Sequence, residues 1–206
     1  MSSTNKTEII VPSHIQGLIF DIDGTLADTM PIHYKACQIV CQKYGFEFPL
    51  PYFLAKAGIP THTTFKMLIE ELGLHQLDHY AIAEEKEQTF LSLVHSATPI
   101  EVVVAVAKKY RGILPMALGT GANKELATNI LKATGLSEMF DILITCDDVV
   151  NPKPAPDTFL KGASLMGVAP EFCMVFEDGA PGIAAAIAGG MEVIDVRPYY
   201  QANIQI

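Results

Sequence analysis

The sequence carries little positive charge for its length. Among 206 residues, 14 are Lys or Arg and 23 are Asp or Glu, which gives a formal net charge of −9. A general nucleic-acid binder needs a basic face to neutralise the phosphates of its ligand. The acidic balance therefore argues against nucleic acid as a partner.

Long hydrophobic runs and a cysteine pattern are also missing. No run reaches the ~18 apolar residues of a transmembrane helix, and Met1 to Glu8 is polar, unlike a signal peptide. The four cysteines show no framework spacing, although Cys37 and Cys41 are four apart, as on one face of a helix. We therefore expect a cytoplasmic protein with reduced cysteines and no membrane partner.

Apolar residues, by contrast, are plentiful: they make up 50% of the chain and charged residues 18%, which predicts an ordered core. Five short apolar runs end near Asp, Gly or Glu and are typical of buried parallel strands. They cover residues 15–20, 113–118, 142–146, 173–176 and 192–196. Segments with helical spacing lie between them, at residues 123–134, 157–166 and 180–190. This alternation predicts an α/β fold with a doubly wound, mostly parallel sheet.

Residues 29–97 have a different pattern. They contain no convincing strand run, and their apolar spacing predicts helices over residues 31–44, 61–73 and 78–95. We therefore expect a helical cap domain at residues 29–97, inserted after the first strand. Residues 1–28 and 98–206 would together form the α/β core.

Acidic residues follow two of the predicted strands. Asp21 and Asp23 lie in the segment DIDGT after the first strand, and Glu177 and Asp178 follow the fourth. The carboxyl ends of parallel strands share one edge of a sheet, where ligands bind. Carboxylates there suit a divalent cation, a nucleophile or an acid/base. Taken singly, each pair is also compatible with a turn or a helix-capping Asp.

A hydroxyl group and a lysine follow two other strands. A helix opens at Thr120, where a hydroxyl and free backbone N–H groups would form an anion site, unless the threonine only caps the helix. The residues of this segment are Thr120, Gly121, Ala122 and Asn123. Lys153 lies between two prolines that restrict its backbone, and a fixed ammonium suits a phosphate oxygen or a carboxylate. As a set, the four strand ends predict a Mg²⁺ site, a nucleophile and a phosphate cradle.

The four motifs together resemble those of the haloacid dehalogenase superfamily. They are Asp21-Ile22-Asp23-Gly24-Thr25, Thr120, Lys153 and Glu177-Asp178. The resemblance spans residues 17–197, and the helical insertion is similar to the cap of the β-phosphoglucomutase-like subgroup. Within that subgroup, three segments are most similar to those of bacterial fructose-1-phosphate phosphatases: GTLADT at residues 24–29, KPAPD at residues 153–157 and VFED at residues 175–178. The resemblance implies a Mg²⁺-dependent phosphoric monoester hydrolase that acts on a small phosphorylated metabolite, a fructose-1-phosphate-like hexose phosphate.

The resemblance also implies a role for each motif residue. Asp21 would attack phosphorus and form an aspartyl-phosphate, and Asp23 would protonate the leaving oxygen and later deprotonate water. Thr120 and the Gly121 N–H would hold the transferring phosphoryl group, while Lys153 would neutralise charge on Asp21 and the phosphate. The implied metal-binding residues are Asp21, Asp23 through its carbonyl, Glu177 and Asp178.

The cap is expected to set the substrate. The subgroup resemblance places His33, at the start of the first cap helix, facing the active site; the alternative is a histidine on the helix surface. Residues 56–64 form the best candidate for a specificity loop, because Gly58 and Pro60 would shape a turn and Thr61 could cap the next helix. The candidate sugar- or phosphate-binding residues in this loop are Lys56, Thr61 and His62. The alternative is a loop that only connects helices.

Two other functions fit these residues less well than a phosphatase does. The mutase-type cap loop of the subgroup carries an Arg for a second phosphate, whereas the only arginines here, Arg111 and Arg197, lie outside the cap. This favours water as the final acceptor over a β-phosphoglucomutase-type mutase, although Asn123 and Lys124 could form a second anion site. A receiver-like signalling domain uses similar residue types but has no large helical insertion. The oligomeric state stays open.

Overall fold

The computed structural model describes residues 8–56 and 59–200 and contains two sheets in these ranges. The strands are β1 (Gly17–Phe20), β2 (Ala27–Asp28), β3 (Thr98–Pro99), β4 (Met116–Gly119), β5 (Ile142–Ile144), β6 (Cys173–Glu177) and β7 (Glu192–Asp195). Five of them form a parallel sheet in the order β5-β4-β1-β6-β7, and β2 pairs antiparallel with β3. The predicted doubly wound α/β fold is confirmed.

Both faces of the parallel sheet are covered by helices. The helices are α1 (Met30–Lys43), α2 (Leu50–Ala55), α3 (Thr61–Glu71), α4 (His79–Leu93), α5 (Glu101–Tyr110), α6 (Lys124–Ala133), α7 (Asp157–Met166) and α8 (Ala180–Ala188). Successive side chains of a strand point to opposite faces. Accordingly, Leu18 and Phe20 of β1 join the apolar cluster that contains residues of α5 and α6, while Ile19 joins the cluster that contains residues of α7 and α8. This two-sided burial explains why the strands are continuous apolar runs.

The strand ends differ from the prediction where turns intervene. The run predicted at 113–118 begins as a strand only at Met116, because residues 111–114 form a turn after α5 in which Ile113 is 70% exposed. The run predicted at 142–146 ends at Ile144, because Thr145 opens a short 3-10 turn in which its backbone N–H donates to the Asp148 carboxylate.

The helices of residues 30–93 pack on one another through a separate apolar cluster. Helix α4 packs against both α1 and α3. Asp78 starts α4 by accepting hydrogen bonds from the backbone N–H groups of Tyr80 and Ala81, which satisfies two donors of the first turn. The separate cluster supports the cap division at residues 29–97, which stays a prediction in its boundaries.

None of the helices in the described ranges has the length and apolar content needed to cross a membrane. The four cysteines are free thiols, and Cys37 and Cys41 are buried on the inner face of α1.

We predict that Phe20→Ala destabilises the fold strongly. Phe20 is completely buried and stacks on Phe176 with ring centres 4.5 Å apart, so truncation leaves a cavity at the centre of the sheet. The expected loss in the free energy of unfolding is about 3–5 kcal/mol, measured by urea denaturation. The control Ile113→Ala, at an exposed position, should change stability by no more than about 0.5 kcal/mol. Equal losses in the two variants would contradict this description of the core.

Candidate active site

The sheet brings three of the sequence motifs to one place. Asp21 directly follows β1, the central strand, while Thr120 follows β4 and Glu177 ends β6, the two neighbours of β1. Asp21 continues the sheet through a hydrogen bond from its N–H to the Phe176 carbonyl, 3.0 Å long. The carboxyl ends of three adjacent strands therefore converge on one site, as expected for an open parallel sheet.

Lys153 enters the site from the segment between β5 and α7. Its Nζ donates to Asp21 Oδ1 and to Glu177 Oε2, each at 2.7 Å, and lies 4.6 Å from the centre of the Phe159 ring. Burial alone would lower the pKa of Lys153, but the Asp21 and Glu177 carboxylates raise it above its ordinary value. The site therefore holds a fixed positive charge directly beside Asp21.

Three acidic side chains form a cluster that could hold a metal ion. Carboxylate oxygens of Asp21, Glu177 and Asp178 lie within 4.8 Å of one another. Burial raises the pKa of Asp21 to about 7 against the opposing charge of Lys153, and the Asp178 and Asp23 carboxylates add to the rise. Burial likewise raises the pKa of Glu177 and of Asp178 to about 7, assisted by the neighbouring carboxylates. A cation bound among these oxygens would stabilise the ionised form of all three carboxylates.

Two glycines allow the acidic cluster to form. Gly24 has a φ of +79°, and a Cβ at this position would lie 2.2 Å from Asp178 Oδ2. A Cβ on Gly182 would lie 2.0 Å from Glu177 Oε2. The absence of both side chains therefore gives the carboxylates the space in which they meet.

The two acids at the end of β6 do not act as ordinary helix caps. Gly179 is the N-cap of α8, and no side chain accepts a capping hydrogen bond there. Instead, Asp178 Oδ1 accepts a hydrogen bond from the Thr25 hydroxyl at 3.1 Å, and Glu177 Oε1 accepts one from the Gly179 N–H at 2.9 Å. The alternative in which Asp178 caps the helix is therefore wrong.

The Asp23 side chain contacts two residues at the start of the cap, Thr29 and His33. Its Oδ1 accepts a hydrogen bond from the Thr29 hydroxyl at 2.8 Å and lies 3.4 Å from His33 Nε2. On the other side of the His33 ring, Nδ1 lies 2.8 Å from Nζ of the buried Lys86, and Phe90 stacks on the ring. An ammonium group can only donate, so Nδ1 must accept and the ring proton must lie on Nε2, facing Asp23.

These contacts set the charges of the pair. Burial alone would raise the pKa of Asp23, but the hydrogen bonds from His33 and from the Thr29 hydroxyl bring it below its ordinary value. Burial and the Lys86 charge lower the pKa of His33. At neutral pH, Asp23 is therefore an ionised acceptor and His33 a neutral donor. His33 is therefore not a surface histidine.

The loop after β4 presents backbone N–H groups at the start of α6. Thr120 is buried, and its Oγ1 accepts a hydrogen bond from the Ala122 N–H at 3.0 Å. The helix cap is Asn123, whose Oδ1 accepts from the Leu126 N–H at 2.9 Å, so the alternative in which Thr120 caps the helix is wrong. Asn123 thus uses its carbonyl oxygen within the loop, while Gly121 is exposed.

The structure describes only part of the predicted specificity loop at residues 56–64. Ala57 and Gly58 lie outside the described residues, so the predicted turn at Gly58 is not described. Lys56 Nζ lies 5.3 Å from the centre of the Tyr52 ring, and the exposed His62 stacks on Tyr80. In the described ranges, these ring contacts of Lys56 and His62 are therefore with other cap residues.

Thr61 has a different part from the one predicted. It is the first residue of α3, whose N-cap is Pro60, and it makes no capping hydrogen bond. The predicted capping role is therefore wrong, because its hydroxyl donates to Glu87 Oε1 of α4 at 2.8 Å. Glu87 Oε1 also accepts from Lys86 Nζ at 3.1 Å, which connects Thr61 to the side chains around Asp23.

Sequence reasoning missed Lys86 and Glu87. A signal for Lys86 was present, because it is four residues after Ile82 and four before Phe90, on the buried face of α4. A lysine in an apolar stripe is rarely buried without a partner, so its position alone indicated one. Nothing comparable marked Glu87.

Comparison with known proteins gives consistent results. A sequence model of haloacid dehalogenase-like hydrolases matches residues 15–190. The chain is 42% identical over 181 residues to the fructose-1-phosphate phosphatase YqaB of Escherichia coli, covering 88% of this chain and 96% of that protein. It is 30% identical over 183 residues to the phosphorylated carbohydrates phosphatase of Thermotoga maritima, covering 87% and 84%. A β-phosphoglucomutase structure from Clostridium difficile aligns with a TM-score of 0.72 at 26% identity, covering 87% and 83%.

We predict that Gly24→Ala weakens divalent-cation binding. The new methyl group would displace the Asp178 carboxylate, whereas Gly73→Ala, also at positive φ but with open space around it, adds only the backbone strain. Both variants should lose about 1–2 kcal/mol of stability from that strain. Only Gly24→Ala should lose the rise in melting temperature on addition of Mg²⁺; an undiminished rise would contradict the proposed position of Asp178.

We also predict that metal-free protein loses stability as the pH rises from about 5 to about 8. Each acid of the cluster has a folded pKa raised to about 7, above an unfolded value of about 4. Folding therefore binds protons in this window, and the stabilisation present below the unfolded pKa is lost as the pH passes the folded pKa. Urea denaturation with a chelator present measures the slope. Asp178→Asn removes one of the three titrating groups and should reduce the slope; a stability that rises over this window would contradict the cluster's description.

Proposed function

The chain belongs to the haloacid dehalogenase-like hydrolases, and on that basis we propose that it is a Mg²⁺-dependent phosphatase of a fructose-1-phosphate-like hexose phosphate. The observation that carries the proposal is the buried Lys153, whose Nζ lies 2.7 Å from both Asp21 Oδ1 and Glu177 Oε2 at the edge of the sheet where Thr120 follows the neighbouring strand β4. The substrate class rests on the relatives, since the similar proteins of Escherichia coli and Thermotoga maritima bear the names of sugar and carbohydrate phosphatases.

Asp21 would be the nucleophile. Lys153 binds Oδ1 of Asp21, which leaves Oδ2 to attack phosphorus. A bond would form between Asp21 and phosphorus while the bond from phosphorus to the sugar oxygen breaks. The Thr120 hydroxyl and the Gly121 N–H would hold the phosphoryl oxygens, and Lys153 would offset their charge. Water would then attack phosphorus and release Asp21 and inorganic phosphate.

Asp23 would carry the proton in both steps. A bound phosphate places negative charge near Asp23 and so raises its pKa, which favours the protonated form needed to protonate the sugar oxygen. Once that proton has left with the alcohol, the hydrogen bonds from Thr29 and His33 favour the ionised form. That form is the base which takes a proton from the attacking water.

The carboxylate and carbonyl oxygens at the ends of β1 and β6 are suitable ligands for a hard divalent cation. Asp21, Asp178 and the main-chain carbonyl of Asp23 would hold it, with Glu177 positioned by Lys153 and the Gly179 N–H. When bound, Mg²⁺ supplies positive charge that stabilises the phosphoryl oxygens. The space left by Gly24 is what allows Asp178 to approach.

Hydrolysis is favoured over transfer to a second sugar position. A mutase must hold a substrate that carries a second phosphate, and bidentate arginine is well suited to this task. No arginine lies in residues 29–97, and the cap loop offers Thr61, whose hydroxyl is already bound to Glu87. Water is therefore the expected acceptor of the phosphoryl group.

We predict that Asp21→Asn abolishes turnover and preserves the fold, because the amide is a poor nucleophile of nearly equal size. The measurement is phosphate release from fructose 1-phosphate, other hexose 1- and 6-phosphates and p-nitrophenyl phosphate, with circular dichroism to verify folding. Near wild-type activity would refute the nucleophile. A wild-type enzyme that retains phosphate and acts only after addition of a sugar bisphosphate would identify a mutase instead.

We predict that Asp23→Asn slows turnover by about 10²–10⁴-fold, the usual contribution of proton transfer by a positioned side chain. The loss should be smaller for p-nitrophenyl phosphate than for a hexose phosphate, since its leaving group needs less protonation. Equal losses on the two substrates would argue against Asp23 as the proton donor.

A further inference from the structure

Glu87 carries a carboxylate that the proposed chemistry does not use. Its Oε1 accepts hydrogen bonds from the Thr61 hydroxyl at 2.8 Å and from Lys86 Nζ at 3.1 Å. Within residues 8–56 and 59–200, Oε2 makes no hydrogen bond, and the side chain is 41% exposed. One oxygen is therefore fixed by the cap, and the other is available to a ligand.

The charge of Glu87 is held by its neighbours. Burial alone would raise its pKa, but the Lys86 ammonium and the Thr61 hydroxyl lower it below its ordinary value. Glu87 is therefore an acceptor-only, negatively charged group at neutral pH.

Glu87 is connected through Lys86 and His33 to Asp23, the proton-transfer residue of the proposed reaction. Lys86 Nζ binds both Glu87 and His33, and His33 Nε2 lies 3.4 Å from Asp23 Oδ1. Asp23 contacts the oxygen that joins phosphorus to the sugar in the proposed reaction. Three side-chain contacts therefore separate the partly exposed Glu87 carboxylate from Asp23.

A carboxylate in this position distinguishes ligands that offer hydroxyl groups from ligands that carry a second negative charge. Hydroxyl groups of a polyol donate hydrogen bonds to it, whereas a second phosphate or a carboxylate of the ligand is repelled. We propose that Glu87 is a specificity residue: Oε2 accepts a hydrogen bond from a hydroxyl of a neutral polyol phosphate, and its charge excludes esters that carry a second anionic group. This inference rests on the proposed phosphatase function.

The test compares three esters in wild type, Glu87→Gln and Glu84→Gln. The esters are fructose 1-phosphate, fructose 1,6-bisphosphate and p-nitrophenyl phosphate. Glu84 lies on the same helix and is exposed, so its variant is a matched control for loss of one charge. In Glu87→Gln, the amide oxygen still accepts from Thr61 and Lys86, so the cap contacts are kept while the free acceptor and the charge are lost.

We expect Glu87→Gln to lower kcat/KM for fructose 1-phosphate by about 10- to 100-fold, mainly through KM, the usual effect of losing a hydrogen bond to a charged group. The value for the bisphosphate should rise or stay unchanged, and that for p-nitrophenyl phosphate should stay within about 2-fold. Glu84→Gln should match wild type on all three esters.

Two results would overturn the inference. Equal losses on fructose 1-phosphate and p-nitrophenyl phosphate would show that Glu87 acts only through the position of His33 and Asp23. If Glu87→Gln leaves the ratio of kcat/KM between fructose 1-phosphate and fructose 1,6-bisphosphate unchanged, Glu87 does not discriminate against the second phosphate. If the wild type releases phosphate from no ester, the proposed function itself fails, and that failure is visible before any variant is compared.

Discussion

The buried ammonium group of Lys153 is the interaction on which the site depends. Taking a charged group out of water costs several kcal/mol, and Asp21 and Glu177 are both almost fully buried. The ammonium lies 2.7 Å from each of them and offsets that cost. It also ties three parts of the fold together: the central strand β1, its neighbour β6 and the segment before α7. This pairing allows the carboxylates of Asp21 and Glu177 to remain buried at the sheet edge.

The two acids of the first motif differ because their surroundings differ. Asp21 lies among other carboxylates, so burial and like charges raise its pKa, whereas Asp23 accepts hydrogen bonds from Thr29 and His33, which lower its pKa. Separate environments of this kind are how enzymes give two carboxylates different tasks. In the proposed mechanism, the sheet edge therefore supplies the nucleophile, and the cap helices supply the surroundings of the acid/base. In the same proposal, catalysis and substrate recognition are connected through the contacts of His33, Lys86 and Glu87.

The parallel sheet was predictable because strand patterns are local. Buried strand segments such as residues 173–176 are apolar on both faces, and polar groups at their ends, such as Glu177, mark the ligand edge. Helix α5 was not assigned, because the valine-rich segment Val102–Val106 resembles a strand as much as a helix. Helix α2 has only six residues, too few for periodicity to show.

The cap contacts were the least predictable part. Lys86 and His33 are 53 positions apart, and Glu87 and Thr61 are 26 apart. Such pairs are set by the packing of α4 on α1 and α3, which no local pattern encodes. The prediction that Thr61 caps helix α3 was wrong for this reason. Its hydroxyl, which suits a helix N-terminus, donates instead to the Glu87 carboxylate on α4.

The most direct test of the central claim is chemical trapping of the intermediate. Borohydride reduces an acyl phosphate to the alcohol, so an aspartyl-phosphate trapped during turnover appears as homoserine in peptide mass spectra. With a hexose phosphate and Mg²⁺ present, homoserine should appear at position 21, and it should be absent when either is omitted. Turnover with homoserine at another position, or with none at position 21 under conditions in which the intermediate accumulates, would contradict the assignment of Asp21 as the nucleophile held by Lys153.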